Sequence, residues 1–186
     1  WNWAGHEDSS FEVNVYSSCD EVELFLNGTS LGKKSTNRST KFMAVYNVRY
    51  AAGELKAVGY SSGKQVNESV LKTAVQPSQI KLSVDKTEVK ANNEDLSYVT
   101  VELLDERGVR NPRSENLIHF TIEGPGTIAG VGNANPVSLE SYQLPQRKAW
   151  QGRCMVVVKS TKEKGEIILK ASADGLKTAT VTIASK

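Results

Sequence analysis

The feature that most constrains this chain is a period of two in its apolar residues. Apolar and polar side chains alternate over residues 11–16, 21–26 and 42–48. Successive side chains of a β-strand point to opposite faces, so each run buries one face and leaves the other in solvent. No window shows the helical spacing i, i+3, i+4 and i+7. The pattern predicts an all-β chain with very little helix.

Turn signals separate the strand-like runs at short intervals. Asn27-Gly28, Ser62-Gly63 and Asp174-Gly175 each lie between such runs and supply residues that tolerate a positive φ. Asp105–Gly108 and Lys162–Gly165 separate further runs in the same way. Short strands with this spacing are typical of β-sandwiches.

The best candidate for a domain boundary is Val75–Ser78. Its Pro77 has no N–H to give to a strand ladder, and a new set of alternating residues begins just after it. The length of 186 residues suits one large domain or two small ones. We predict two tandem immunoglobulin-like β-sandwich domains, a small one at 1–76 and a larger one at 77–186.

One region, Gly130–Gln151, does not follow the strand pattern. It contains Gly, Asn and Pro with little alternation, and it predicts a loop of roughly twenty residues, a length typical of functional or locally packed loops. Trp150 lies in it, whereas Trp1 and Trp3 lie at the start of the chain. Burial in packing is the commoner role of Trp. These three residues are nevertheless the candidates for carbohydrate contact or a domain interface, with Trp150 the strongest.

The sequence lacks the motifs of nucleotide binding and of nucleophilic catalysis. Gly28–Lys34 has three residues between its two glycines where a phosphate loop has four, and Lys34 stands where that loop has Ser or Thr. There is no Gly-x-Ser-x-Gly turn. The two histidines available as bases are His6, in the opening loop, and His119, on the outer face of a predicted strand.

Glycoside hydrolysis requires two carboxyl groups about 5–9 Å apart that face one sugar. Glu21 and Glu23 are two residues apart on one strand, but they lie opposite its apolar face, which indicates solvated charges. The loop acids Asp20, Asp95 and Asp105 keep a calcium site open, although no EF-hand spacing links them. We expect no catalytic pair, no metal and no cofactor in this chain.

Charge, hydropathy and cysteine usage exclude other classes of function. The 23 basic and 21 acidic residues are mixed along the chain, so we expect no nucleic-acid partner. No run approaches the roughly 18 apolar residues of a membrane helix, so we expect no membrane span. Cys19 and Cys154 form no Cys-x-x-Cys pair, and two buried thiols are favoured over a disulfide.

Several strings extend well beyond general strand patterns and carry a family resemblance. WNWAGHE at 1–7 looks like the exit from a catalytic barrel, and CDEVELFLNGTSLGKK at 19–34 and GELKAVGY at 53–60 look like the sandwich that follows it. Residues 115–143 and 147–167 resemble an invasin-like domain. Together they resemble the C-terminal accessory β-sandwiches of glycoside hydrolase family 2 enzymes, especially β-galactosidases of gut Bacteroidetes.

The resemblance implies a parent enzyme that is a retaining glycosidase with two glutamates on a (β/α)8 barrel. That barrel lies upstream in the family, so its catalytic residues correspond to no position in this sequence. The missing start Met and signal peptide, and the opening on Trp-Asn-Trp, are what we expect of a piece of a longer chain. The resemblance also implies a bacterial, periplasmic or secreted location.

Three functions remain open. The chain is first expected to form accessory domains that pack on the catalytic barrel, space it, or build a homo-oligomer. A second reading is a carbohydrate-binding module whose partner is a polysaccharide or oligosaccharide. A third is a bacterial surface adhesion module. An immunoglobulin-like fold serves all three, so the fold does not choose among them.

Overall fold

The computed structural model describes all residues, Trp1–Lys186, and divides into two compact units. The first unit is Trp1–Thr73 and the second is Ala74–Lys186, so the division lies close to the predicted boundary after residue 76. Fifteen strands account for nearly all regular structure, and the single helical segment is the 3-10 turn Arg38–Thr40. The prediction of an all-β chain is confirmed. No helix is long and apolar enough to cross a membrane.

The first unit is a small sandwich of six strands, which are β1 Ser10–Tyr16, β2 Glu21–Leu26, β3 Thr29–Ser35, β4 Met43–Arg49, β5 Glu54–Ser61 and β6 Lys64–Lys72. One sheet has the order β3-β2-β5-β6, and β1 pairs with β4 in the other. The inward residues of the alternating runs fill the core, namely Val22, Leu24, Ala44, Tyr46, Val48 and Leu55. The period of two therefore sets which residues are buried.

The string at 19–34 folds as the β2–β3 hairpin. Asn27 and Gly28 both have positive φ, at 50° and 81°, as a two-residue turn requires. The Asn27 side chain also donates to the carbonyl of Ala52 and accepts from the N–H of Glu54, at 3.0 and 2.8 Å. The buried hydroxyl of Tyr46 donates to the carbonyl of Val22 at 2.9 Å. Asn27 thus serves the turn, as the sequence predicted.

The alternating run at 42–48 begins one residue later than predicted. Phe42 lies outside β4 with a φ of 58°, and 48% of its side chain is exposed. Asn37 caps the short 3-10 turn, and Lys41 and Phe42 close that turn in the left-handed region. Capping by Asn37 therefore overrides the apolar pattern at this position.

The second unit is a larger sandwich of nine strands, which are β7 Gln79–Val84, β8 Glu88–Val89, β9 Leu96–Leu104, β10 Leu117–Glu123, β11 Gly126–Gly132, β12 Gln146–Lys148, β13 Arg153–Ser160, β14 Gly165–Ser172 and β15 Ala179–Ser185. Its sheets have the orders β12-β10-β14-β15-β8 and β11-β13-β9-β7. Every pairing is antiparallel except the short one between β15 and β8. Apolar residues of both sheets form the core between them.

The prediction of a loop over Gly130–Gln151 is wrong at both ends. Its first three residues complete β11, and Gln146–Lys148 form β12, which pairs with β10. The segment without strand structure is 133–145, which we call the flap. The strand escaped prediction because its inward residue is a fully buried Arg147 rather than an apolar side chain.

Candidate functional site: a cleft beside the flap

A cleft of about 920 Å³ lies on the outer face of the β11-β13-β9-β7 sheet of the second unit. Strand register places Gly132, Met155 and Thr100 side by side across its floor. Gly130 lies opposite Val157 in the next row of the same floor. Because the two glycines carry no side chain, the flap can approach the sheet closely on this side.

The flap forms one wall of the cleft. The N–H of Val131 donates to the carbonyl of Tyr142 at 2.9 Å, which fastens the flap to β11. A Cβ at Gly130 would lie 3.3 Å from the same carbonyl oxygen. The phenol ring of Tyr142 remains 58% exposed and faces the cleft. The wall therefore presents an aromatic surface on a fixed backbone.

A tight turn at Gln151-Gly152 forms the other wall. Both residues have positive φ, at 51° and 74°, and Trp150 exchanges two backbone hydrogen bonds with Arg153 at 2.7 and 3.0 Å. A Cβ at Gly152 would collide with the carbonyl oxygen of Asn111, so only glycine fits. Trp150 and Arg153 are therefore held next to each other at the edge of the cleft.

Three cations surround one carboxylate at this edge. The Nε and Nη2 atoms of Arg153 donate to Oε1 of Glu102 at 2.9 and 2.7 Å. Arg110 Nε and Lys81 Nζ lie 3.9 and 4.0 Å from the same carboxylate. Arg110 also donates to the carbonyl of Gln151. One negative charge thus faces three positive ones, and two of those, Arg110 and Arg153, line the cleft.

The environment of Arg110 is unfavourable to its charge. Partial burial lowers the pKa of Arg110, the neighbouring Arg153 lowers it further, and Glu102 offsets only part of that decrease. Only 33% of the Arg110 side chain is exposed. It therefore lacks part of the hydration and counter-charge that it would have in water.

Arg147 anchors the flap from beneath and was not identified from the sequence. Its side chain is fully buried, and its Nη atoms donate to the carbonyl of Glu140 and to Oδ1 of Asn133, both at 3.0 Å. The Tyr142 ring lies 4.7 Å from its guanidinium carbon, within cation–π range. The Glu140 carboxylate is 3.7 Å from its Nε. No sequence spacing predicts this role, since its partners Asn133 and Glu140 are brought to Arg147 only by the folding of the flap.

Of the three tryptophans predicted as candidates, Trp150 lies in the cleft and the other two pack within the first unit. Trp1 lies edge-on to Tyr50, with ring centroids 5.2 Å apart, and its indole N–H donates to the carbonyl of Ala51 at 2.9 Å. Trp3 stacks on Phe11 at 4.9 Å and is 45% exposed. Their aromatic cluster is a local packing feature, with one half-exposed face on Trp3.

The loop acids considered for calcium shape turns by accepting hydrogen bonds from the backbone. Asp105 accepts from the N–H groups of Val75, Arg107 and Val109, at 3.1, 2.9 and 2.8 Å. Asp20 accepts from the N–H of Ser62 at 2.7 Å. No cluster of three or more His, Cys, Asp or Glu side chains suited to a metal ion occurs in the chain.

The remaining polar candidates also have structural partners. Glu23 lies on the outer face of β2, as predicted, and accepts from the hydroxyls of Ser30 and Tyr60 at 2.7 and 3.1 Å. His119 is exposed on β10, as predicted. Cys19 and Cys154 are free and buried, and burial raises the pKa of the Cys154 thiol to about 12. Cys154 is therefore an unreactive core thiol at neutral pH.

Comparison with known proteins identifies both halves of the chain. The family described as glycoside hydrolase family 2 C-terminal domain 5 matches residues 80–182, and a domain of unknown function (DUF4982) matches residues 8–67. The chain is 39% identical, over its full length, to β-galactosidase BoGH2A of Bacteroides ovatus, of which it covers 22%. It is 32% identical to a β-galactosidase of Thermoanaerobacter pseudethanolicus, with 90% of the chain and 23% of that relative covered.

A solved structure gives the same result. The family 2 glycosyl hydrolase of Bacteroides cellulosilyticus superposes on the whole chain with a TM-score of 0.96 and 47% identity, and the match covers 24% of that protein. The chain therefore spans less than a quarter of the length of each of these relatives. Since the C-terminal domain model alone matches more than half of the residues, the chain belongs to the C-terminal domains of glycoside hydrolase family 2.

Proposed function

We propose that this chain forms non-catalytic accessory domains of a longer family 2 glycoside hydrolase and packs on its catalytic part. Two relatives are named β-galactosidases, and the chain matches only 22% and 23% of their lengths. A β-galactosidase or a related glycosidase is thus the activity we expect of the whole protein.

The observation that carries this proposal is a set of exposed apolar side chains within the flap. Leu139 is fully exposed, and Val137 and Leu144 are 78% and 52% exposed. Grouped apolar side chains on a soluble surface mark interaction sites. The Arg147 anchor holds their backbone in place, so little conformational entropy is lost when a partner covers them.

The carboxylates near the cleft support a non-catalytic role. A retaining or inverting glycosidase needs two carboxyl groups that are free to exchange protons or attack the sugar. The side chains that line this cleft include no Asp or Glu. The two nearby acids, Glu102 and Glu140, are each engaged by an arginine. We expect the isolated chain to leave 4-nitrophenyl β-galactoside and β-glucuronide unhydrolysed.

The docking role predicts a specific effect of Leu139→Asp. In the full-length enzyme the new carboxylate would be buried against the catalytic part, so the melting temperature should fall by several degrees. In the chain alone, where Leu139 is exposed, the same change should have no effect. Thr178→Asp, which puts the same charge on another exposed loop of the second unit, is the matched control. Equal melting temperatures for all full-length variants would contradict the proposal.

Light scattering on the same samples identifies the partner. Loss of stability with an unchanged subunit number is expected when the flap covers the catalytic part of its own polypeptide. A lower subunit number in Leu139→Asp would instead show that the flap joins two copies of the enzyme, which would overturn this assignment.

A second function, glycan binding, is favoured by the aromatic walls of the cleft. Trp150 and Tyr142 both line it, and polar side chains lie beside them. Sugar sites combine aromatic faces with a few fixed polar groups. A weak site of this kind, linked to a catalytic domain, would raise the local concentration of a polymeric substrate. The adhesion role stays a prediction, with no surface of the chain that favours it over these two.

A further inference from the structure

We infer that the sugar this cleft takes is anionic, a residue with a carboxylate or sulfate group that pairs with Arg110 and Arg153. The inference rests on the second proposed function, glycan binding, and names its ligand class. It depends on the geometry of the charged edge of the cleft. That edge differs from a solvated surface pair in three respects.

The first difference from a solvated surface pair is the charge imbalance around Glu102. Arg153 donates twice to Oε1 of Glu102, whereas Arg110 Nε lies 3.9 Å from the same oxygen and Lys81 Nζ lies 4.0 Å from Oε2. Two cations in excess thus remain around one acid that is only 17% exposed. A ligand anion at this position would neutralise charge that the protein itself leaves uncompensated.

The second difference is the planar shape of the guanidinium donors. A guanidinium presents several N–H groups in one plane, which suits the paired oxygens of a carboxylate or sulfate. Arg110 is held by the hydrogen bond that it donates to the carbonyl of Gln151, and Arg153 by the two hydrogen bonds that it donates to Glu102. Both groups are fixed before any ligand arrives, so their remaining donors need little reorganisation.

The third difference is the position of Trp150 beside the arginine pair. The Gln151-Gly152 turn pairs the backbone of Trp150 with that of Arg153, so the two side chains start from paired backbone positions, and both line the cleft. A sugar ring against Trp150 would place a substituent within reach of the arginine pair. Neutral hydroxyl groups would also accept from these donors, but a charged acceptor gains more from them.

Titration calorimetry with two matched sugars tests the inference. Methyl galacturonide and methyl galactoside differ only in whether carbon 6 is a carboxylate or an alcohol. We expect the uronide to bind the 186-residue chain about tenfold more tightly or better, which is the typical gain of a charge-assisted hydrogen bond. Inorganic sulfate, as a bare anion, should bind more weakly than the uronide because it makes no ring contact.

Three variants locate the contacts. Arg110→Gln should remove the preference for the uronide, and Trp150→Ala should weaken both sugars. Lys81→Gln is the matched control, because Lys81 loses the same charge beside the same Glu102 but does not line the cleft. It should keep at least half of the uronide affinity at physiological salt, where exposed charges are screened.

The outcomes separate the inference from the function on which it rests. If both sugars bind with equal affinity, and Arg110→Gln binds them as the parent chain does, the anionic assignment is overturned while glycan binding stays intact. Binding of neither sugar would overturn both. Sulfate binding as tight as that of the uronide would show an anion site without sugar recognition, which also contradicts the inference. None of these results bears on the docking role of the flap, which the Leu139→Asp variant tests separately.

Discussion

Asp105→Ala is expected to destabilise the second unit by at least about 3 kcal/mol, because it leaves three backbone N–H groups without their acceptor. Those groups belong to Val75, Arg107 and Val109. The Asp105 side chain is fully buried, so water is expected to replace it poorly. Chemical denaturation of the chain measures the loss. Asp174→Ala, at an exposed turn in the same unit, should cost little by comparison.

Asp105 should also make the stability of the second unit depend on pH in the acidic range. Burial on its own would raise the pKa of Asp105, but the hydrogen bonds from Val109, Val75 and Arg107 outweigh it, and the pKa lies below its ordinary value of 3.8. Its contribution is therefore present above about pH 4 and is lost as the pH falls through the lower, folded-state value. Asp105→Asn, which keeps the shape, should flatten this part of the curve. An unchanged acid slope would show that the charge of Asp105 does not matter.

Arg147→Met is expected to cost the second unit about 2–4 kcal/mol, since it removes the donors to two partly buried acceptors. Methionine fills similar space, so the loss reflects the polar anchor rather than a cavity. Asn133 and Glu140 would lose their contacts with the guanidinium, and the flap should exchange its amide hydrogens faster. Urea denaturation and hydrogen exchange measure the two effects.

Lys148→Met is the matched control for that change. It removes the same charge from the adjacent position, but its side chain is exposed on β12. We expect its stability to lie within about 0.5 kcal/mol of the parent chain. If Arg147→Met were equally neutral, the buried guanidinium would not be what fixes the flap.

The sandwich architecture was predictable because alternation alone carries it. The run at 21–26 has one consistent apolar face, and Asn27-Gly28 specifies the turn that follows. These are local rules, so they hold without knowledge of the rest of the fold. Phe42 shows their limit. A cap five residues earlier decided its conformation against the apolar pattern.

The cleft was only partly predictable, since its parts come from separate segments. Trp150 stood out as an aromatic residue in a region without alternation. The charged residues beside Trp150 did not stand out in the sequence. The contact of Arg153 with Glu102 follows from the register of β13 on β9, which the sequence alone does not give. Arg147 escaped because a charged residue is read as outward-facing, and its burial depends on acceptors supplied by the folded flap.

The central claim is that the flap of this chain docks on the catalytic part of a longer family 2 glycoside hydrolase. Hydrogen exchange of residues 133–145, measured in the chain alone and in the full-length enzyme, tests it most directly. We predict that the amides from Val137 to Leu144 exchange at least about tenfold more slowly in the full-length enzyme, while the exposed turn at 162–165 is unchanged. Equal exchange of the flap in both proteins would contradict the claim.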